Sequence, residues 1–299
     1  MKLAFVGLGN MGLPMAINLT KVYPEVYGLN RSKGKEERFG QAGGRVGYSL
    51  SELASQVDIL MTCLPLPDDV EQVYLGEGGV LSSGHPGLIA IDFSTVSPEL
   101  SRRLYERLGE KGIRFLDAPV SGGPPGAEAG TLSIMVGGDK DIFEQTKPVL
   151  EVVGQHISYV GPSGSGSAVK LINQLMVGIH TLAVSEALIL AKQFKLDVDQ
   201  LVSILNNSFA QSRILERHYM QFIAPDRYEP GFALKLLQKD TGIIDNLADK
   251  MGLHLPIIKE VNQLLAQAKK SGYEDQDMSS MYKFLSGVQE RTPREEKSE

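Results

Sequence analysis

The stretch Leu3-Ala4-Phe5-Val6-Gly7-Leu8-Gly9-Asn10-Met11-Gly12 decides how the chain is read. Four apolar residues suited to a buried strand run into a GxGxxG pattern, and helical spacing follows from Met11 to Thr20. In that context each glycine has a task. Gly7 permits a tight turn, Gly9 lets backbone approach a pyrophosphate, and Gly12 lets a helix start close against the strand. Phosphate oxygens would then meet the free N–H groups and positive dipole end of that helix. The expectation is a dinucleotide held by Gly7, Leu8, Gly9, Asn10, Met11 and Gly12; the alternative is a glycine-rich turn with no ligand.

Some 20 residues further on, such a domain usually places an acidic side chain against the ribose hydroxyls. Here the chain has Asn30-Arg31-Ser32, then Lys33, Lys35 and Arg38. A carboxylate would repel a 2′-phosphate, whereas a guanidinium can grip one in a fork. This argues for NADP with NAD still admitted, and against it stands a plain solvated basic turn.

Outward from the glycines, short apolar runs alternate with helical patterns. Glu25–Leu29, Val57–Met61, Leu88–Ile91, Arg114–Leu116, Leu132–Val136 and Ile157–Val160 are strand candidates. Between them lie helical patterns over Glu36–Ala42, Asp68–Tyr74, Pro98–Glu110 and Asp141–Val152. That alternation predicts a doubly wound, mainly parallel α/β sheet covered on both faces. After Gly161-Pro162-Ser163-Gly164-Ser165-Gly166 only helical patterns remain, roughly 167–193, 197–207, 213–223, 233–251, 255–271 and 278–288. The expected domains are therefore 1–162 and an all-α 163–290, with a disordered tail over 291–299.

The 299 residues suffice for two domains, and 42% hydrophobic with 22% charged residues excludes a disordered chain. The formal charge of −6, from 30 basic and 36 acidic side chains, argues against nucleic acid as a partner. A lone Cys63 excludes an internal disulfide framework and fits a reducing, cytoplasmic setting. No CxxC, HExxH or EF-hand string occurs and the five histidines are scattered, so no metal is expected. The opening apolar run is broken by glycines before it could serve as a signal peptide. The most apolar stretch, Ala168–Ala191, carries Lys170, Asn173, Gln174, His180 and Glu186, and reads as a buried helix rather than a membrane span.

Ligands of open α/β sheets bind at the carboxyl ends of strands. Two such loops, Cys63-Leu64-Pro65 and Ser94-Thr95-Val96, offer apolar walls and hydroxyls to a cofactor, or are simply capped turns, as Ser97-Pro98 suggests. Asp117-Ala118-Pro119-Val120-Ser121-Gly122-Gly123 leaves another strand. Its glycines can aim N–H groups at a carboxylate, although alone it is equally a flexible loop. Asp117 reads as a structural hydrogen-bonding group rather than a base. Lys170, Asn173, Gln174 and Val177 share one helix face, and polar groups on an apolar helix need partners, which a substrate oxygen could be. Lys170 alone could instead snorkel to water, and His180 reads as a satisfied core histidine.

Together these strings resemble the β-hydroxyacid dehydrogenase family, over about residues 3 to 288. The matching strings are Phe5 to Gly12, Asp117 to Gly123 with Gly126-Ala127-Glu128 and Gly130-Thr131-Leu132, Gly164-Ser165-Gly166 with Lys170, and Lys239-Asp240. The resemblance implies a Rossmann domain, then an all-α domain entered by a long interdomain helix, and a homodimer or homotetramer. It implies NAD(P)-dependent interconversion of a small carboxylate-bearing aldehyde or keto acid and its hydroxy acid. Lys170 would be catalytic, and Ser121, Gly122 and Gly123 would hold the carboxylate. Asn173 and Gln174 would orient the substrate. Leu64, Pro65, Thr95, Phe232 and Lys239 would approach the cofactor, with Lys239 also near the substrate. Burial and a nearby cation such as Lys239 would make the Lys170 proton easier to release. Many members have Asn where Gln174 stands. Asn173-Gln174 is similar to tartronate semialdehyde reductases, whereas Asn30-Arg31 resembles the glyoxylate and succinic semialdehyde branch, so the substrate stays open. Imine reductases and inactive scaffolds on this fold generally lack the lysine, and length with the lack of further helical repeats after residue 288 disfavours a 6-phosphogluconate dehydrogenase.

Overall fold

The computed structural model describes residues 1–291; the tail expected over 291–299 lies, beyond residue 291, outside the described residues. Two compact units, Met1–Ile172 and one beginning at Asn173, divide inside a long helix.

The first unit runs β1 (Leu3–Val6), α1 (Gly12–Thr20), β2 (Val26–Leu29), α2 (Lys33–Gln41), α3 (Leu50–Gln56), β3 (Ile59–Thr62), α4 (Pro67–Leu75), α5 (Val80–Ser83) and β4 (Ile89–Asp92). It continues through α6 (Pro98–Gly109), β5 (Arg114–Asp117), β6 (Val120–Ser121), α7 (Gly123–Ala129), β7 (Leu132–Gly138), α8 (Lys140–Val153) and β8 (Gly154–Gly161). Among the described residues the strands form one sheet, ordered β2-β1-β3-β4-β5-β7-β6, with β8 on β7. β1 to β5 are parallel, β7 runs antiparallel to β5 and β6, and β8 is parallel to β7. Sequential strands reverse direction of growth at β1, and the carboxyl ends of β1, β2 and β3 there frame the crevice where ligands bind in such sheets.

Alternation explains why β1 reads as an unbroken apolar run. Leu3 and Phe5 of β1 pack with Leu13, Met15 and Leu19 of α1 and Phe143 of α8. Ala4 and Val6 face the other way, toward Leu53 of α3, Tyr74 of α4 and Leu104 of α6. Both faces are dry, so no polar position interrupts the pattern.

Four elements of the first unit differ from the expectation, one of them α5, a four-residue turn too short to leave a pattern. α3 was not foreseen, although Ser49 and Glu52 form a reciprocal capping box at its start. The Gly122-Gly123 segment is no free loop: Gly123 opens α7, with Pro124 and Pro125 in its first turn where missing N–H groups cost nothing. β6 is too short to leave a pattern. The Ser97-Pro98 start of α6 is as expected, with the Ser97 hydroxyl accepting from the Leu100 N–H at 3.2 Å.

α9 (Ser165–Gln193) crosses the boundary between units. Of the described helices, it alone is long and apolar enough to cross a membrane by length and composition, with mean hydropathy 1.5. The expected buried helix is buried only in part, since Ile172, Met176 and Leu190 are exposed. The second unit continues through α10 (Val198–Asn206), α11 (Arg213–His218) leading into a π-helical turn over Tyr219–Ile223, α12 (Leu234–Lys250), α13 (Pro256–Ala268) and α14 (Met281–Arg291).

His180, expected as a satisfied core histidine, is only half-buried. The satisfied core histidine is His218, fully buried, with Nδ1 3.2 Å from Arg217 Nη1 and Nε2 3.1 Å from the Thr181 hydroxyl. A guanidinium can only donate, so Nδ1 accepts and the proton sits on Nε2. Arg217 also forks onto Asp277, at 3.0 and 2.7 Å. Burial pushes the Asp277 carboxyl up, but the hydrogen bonds and charge of Arg217 together with the Phe232 and Ser279 N–H groups outweigh it and hold the group low.

Burial, reinforced by Arg217, lowers the His218 pKa from 6.5 to about 3. The unfolded ring therefore takes a proton below 6.5 that the native ring refuses, and stability falls as pH drops from 6.5 toward 3. From this group alone the loss between pH 6.5 and 5 is about 2 kcal/mol. His218→Gln keeps an acceptor and a donor but does not titrate, so denaturant unfolding at the two pH values should show that much less loss; an equal loss would show that His218 titrates normally in the fold.

Candidate active site

The three glycines at the end of β1 have separable physical reasons. Gly7 has φ +96°, and a Cβ there would lie 2.4 Å from the Cys63 carbonyl oxygen on the neighbouring β3 loop. A Cβ on Gly12 would lie 1.9 Å from the Gly7 carbonyl oxygen. A Cβ on Gly9 would meet nothing within 4 Å. Two glycines close the turn while the middle one leaves open space above the start of α1, which fits a pyrophosphate lying there. Leu8 is buried and its N–H donates to Asn30 Oδ1 at 2.9 Å, which ties the turn to the end of β2. Gly9 and Asn10 are exposed and Met11 half-buried.

Asn30 is thus committed to structure. Its own N–H donates to Glu36 Oε1 at 2.8 Å, and its amide nitrogen to the Ser32 carbonyl at 3.2 Å. Glu36, buried at the start of α2, also holds Lys33 at 3.2 Å. Sequence reading missed this acidic residue because it lies beyond the strand end. Arg31 extends into solvent and touches Asp69 of α4 at 3.4 Å. An exposed pair of that length is weak, so the guanidinium is free to turn to a phosphate.

The Leu64-Pro65 and Thr95 loops leave β3 and β4, and a buried carboxylate neither motif revealed joins them. Asp92 Oδ1 accepts from the Thr62 hydroxyl at 2.6 Å and the Ser94 hydroxyl at 2.5 Å. Ser94 in turn accepts from the Leu64 N–H at 2.9 Å. Thr62 meets the buried Tyr74 hydroxyl at 2.9 Å. Thr95 and Leu64 remain half-buried, and Pro65 exposed, at the rim above this network.

On the next strand end, Asp117 is buried and accepts from the Gly164 N–H at 2.7 Å and the Ser167 N–H at 2.9 Å. Its structural reading stands. Burial pushes its carboxyl up, and those two N–H groups oppose the shift. Ser121 follows on β6, with Gly122 at φ +136° and Gly123 at φ +64°, conformations that favour glycine.

Lys170 lies on the second turn of α9 and is 7% exposed, so it does not snorkel into water. Further along α9, Gln174 Nε2 donates to Asp240 Oδ2 of α12 at 2.6 Å, and Asn173 Nδ2 donates to Gln174 Oε1 at 3.0 Å. A carboxylate only accepts, so it fixes the Gln174 amide, which in turn fixes that of Asn173. The extra methylene of Gln174 over asparagine supplies the reach to Asp240. Lys239 pairs with the other Asp240 oxygen at 2.9 Å. The Asp240 carboxylate thus faces an amide on one oxygen and an ammonium on the other. Asp240 is the organising residue of this cluster, and in the sequence it looks like any helix carboxylate. Phe232 is half-buried, and its N–H donates to Asp277 at 2.9 Å.

Residues 2–161 match the NAD-binding domain of 6-phosphogluconate dehydrogenase, and residues 164–285 match the NAD-binding domain of NADP-dependent 3-hydroxyisobutyrate dehydrogenase. The chain is a β-hydroxyacid dehydrogenase family member. Its first unit is an NAD(P)-binding Rossmann fold, and the whole is an oxidoreductase of that family. Among β-hydroxyacid dehydrogenase relatives, 2-(hydroxymethyl)glutarate dehydrogenase of Eubacterium barkeri is 37% identical over 282 residues, covering 94% of each chain. The 2-hydroxy-3-oxopropionate reductase of Escherichia coli is 37% identical over 289 residues, covering 95% of this chain and 97% of the relative. The solved structure of Mycobacterium tuberculosis 3-hydroxyisobutyrate dehydrogenase with L-serine is 29% identical, with a TM-score of 0.87 over 95% of this chain and 98% of that one.

Proposed function

We propose that this β-hydroxyacid dehydrogenase prefers NADPH and interconverts a small carboxylate-bearing aldehyde or keto acid and its hydroxy acid, with Lys170 as general acid and base. The observation that carries the reading is a lysine buried on the first turns of α9, a helix anchored to the strand end from which the Ser121–Gly123 segment leaves. The names of two relatives, acting on a hydroxymethylglutarate and a hydroxy-oxopropionate, support a carboxylate-bearing substrate.

When bound, the dinucleotide supplies or accepts the hydride. Gly7, Gly9 and Gly12 with the start of α1 hold its pyrophosphate, and Leu64, Pro65, Thr95, Phe232 and Lys239 wall its course. Ser121, Gly122 and Gly123 offer a hydroxyl and backbone N–H groups to the substrate carboxylate. Asn173 and Gln174, locked by Asp240, orient the carbonyl. During reduction negative charge grows on the carbonyl oxygen, and the Lys170 ammonium stabilises it and donates the proton. In the oxidative direction the neutral amine removes the hydroxyl proton. The substrate domain is assigned to 163–290, in a cytoplasmic homodimer or homotetramer whose contacts cover exposed Ile172, Met176 and Phe194.

Preference for NADPH rests on Arg31. Arg31→Ala should lower kcat/KM for NADPH by about tenfold or more, the loss of a charge-assisted fork, and leave NADH kinetics nearly unchanged. Steady-state rates with glyoxylate, succinic semialdehyde, tartronate semialdehyde and methylmalonate semialdehyde identify the substrate at the same time. Equal use of both dinucleotides by the unmodified protein would overturn the preference.

A further inference from the structure

The buried carboxylate of Asp117 faces no solvent, and the chemistry proposed above does not use it. It ends β5, the strand from which the segment toward Ser121, Gly122 and Gly123 departs. Its two oxygens are divided between two N–H groups at the start of α9, Oδ1 to Gly164 at 2.7 Å and Oδ2 to Ser167 at 2.9 Å. Lys170 follows Ser167 by one helical turn. The backbone is shaped to bring these parts together. A Cβ on Gly137 would lie 2.7 Å from Asp117 Oδ1, and one on Gly166 would lie 2.6 Å from the Asp117 carbonyl oxygen and 2.3 Å from that of Met135. Gly164 and Gly166 thus serve close packing.

A buried carboxylate is costly unless its hydrogen bonds are made, and a hydrophobic residue could fill such a place without that cost. What a carboxylate adds is two directed acceptors at the positive end of a 29-residue helix. They set both the azimuth and the height of the first turn. We infer that Asp117 is a positioning residue that holds Lys170 in register with the Ser121–Gly123 segment. The inference rests on the proposed role of Lys170. Reach from a fixed helix turn to a reacting oxygen tolerates little error, and a displacement of about 1 Å can cost about a hundredfold in rate.

The test uses Asp117→Asn in the full chain. The amide must turn its nitrogen toward one of the two N–H donors, so one anchor is lost while size is kept. With kcat normalised to NADPH-binding sites, the variant should lose about 10- to 100-fold in kcat and gain several-fold in KM for the carbonyl acid, at unchanged NADPH affinity. A merely structural residue would lower the melting temperature and leave the kcat per binding site and the KM alone. Gly166→Ala, which pushes a methyl against the Asp117 carbonyl, should reproduce the kcat loss by moving the same turn. Combined with Lys170→Ala, Asp117→Asn should cost nothing more, because it acts through the lysine.

Lys170→Ala, measured in parallel, separates the two claims. A slow Lys170→Ala beside an Asp117→Asn with unmodified kcat and KM would overturn the inference alone. Full kcat in Lys170→Ala would instead overturn the role of the lysine on which it rests. A multiplicative loss in the double variant would contradict action through Lys170.

Discussion

Lys170→Ala should lower kcat by about 10²–10⁴ while leaving NADPH affinity nearly unchanged, the usual contribution of a positioned proton donor. The split follows from the fold. The proposed phosphate site is the Gly7–Gly12 turn at the end of β1, whereas Lys170 sits on α9, whose start Asp117 at the end of β5 anchors. Lys170→Arg should not restore the rate. A guanidinium keeps the charge but releases a proton poorly, and it is bulkier than the ammonium in a place that leaves the lysine 7% exposed. Melting temperature and NADPH titration accompany the kinetics, since a misfolded variant would also be slow. A folded, NADPH-binding Lys170→Ala protein with more than a tenth of the original kcat would show that the proton comes from elsewhere.

The parts of this account that were legible in the sequence are those where one residue type has one physical use. A strand dry on both faces must be apolar throughout, so Leu3–Val6 and Leu88–Ile91 announce themselves. Long helices with a single wet face do likewise, as α12 and α13 show. The need for glycine at positions 7 and 12 was legible, because a Cβ at either would strike backbone. Short elements were not legible. α7 begins with prolines that as readily mark a loop, and β6 is two residues long. The buried carboxylates were least visible. Asp92 and Asp240 look like surface residues until the fold surrounds them with hydroxyls and amides, and their number of partners depends on residues 30 to 66 positions away. The close packing at Gly164 and Gly166 was equally invisible, since the atoms that crowd them belong to Pro98, Asp117 and Met135.

Discrimination for a substrate carboxylate is the second large effect. Ser121, Gly122 and Gly123 present one hydroxyl and successive N–H groups on a backbone set by φ values of +136° and +64°, which suits an anion and leaves an uncharged chain end with unmatched donors. Charge-assisted hydrogen bonds of this kind are worth enough to give about a hundredfold in kcat/KM between an acid and its neutral analogue. Carboxylate recognition and hydride transfer to a carbonyl are together the central claim, and one comparison reaches both. NADPH oxidation is followed with succinic semialdehyde and with butanal, which carries the same aldehyde on a four-carbon chain lacking the carboxylate. The account predicts turnover of the semialdehyde with kcat/KM about a hundredfold above that of butanal. Equal rates for the two, or NADPH binding without oxidation by this or any of the other three carbonyl acids, would contradict it.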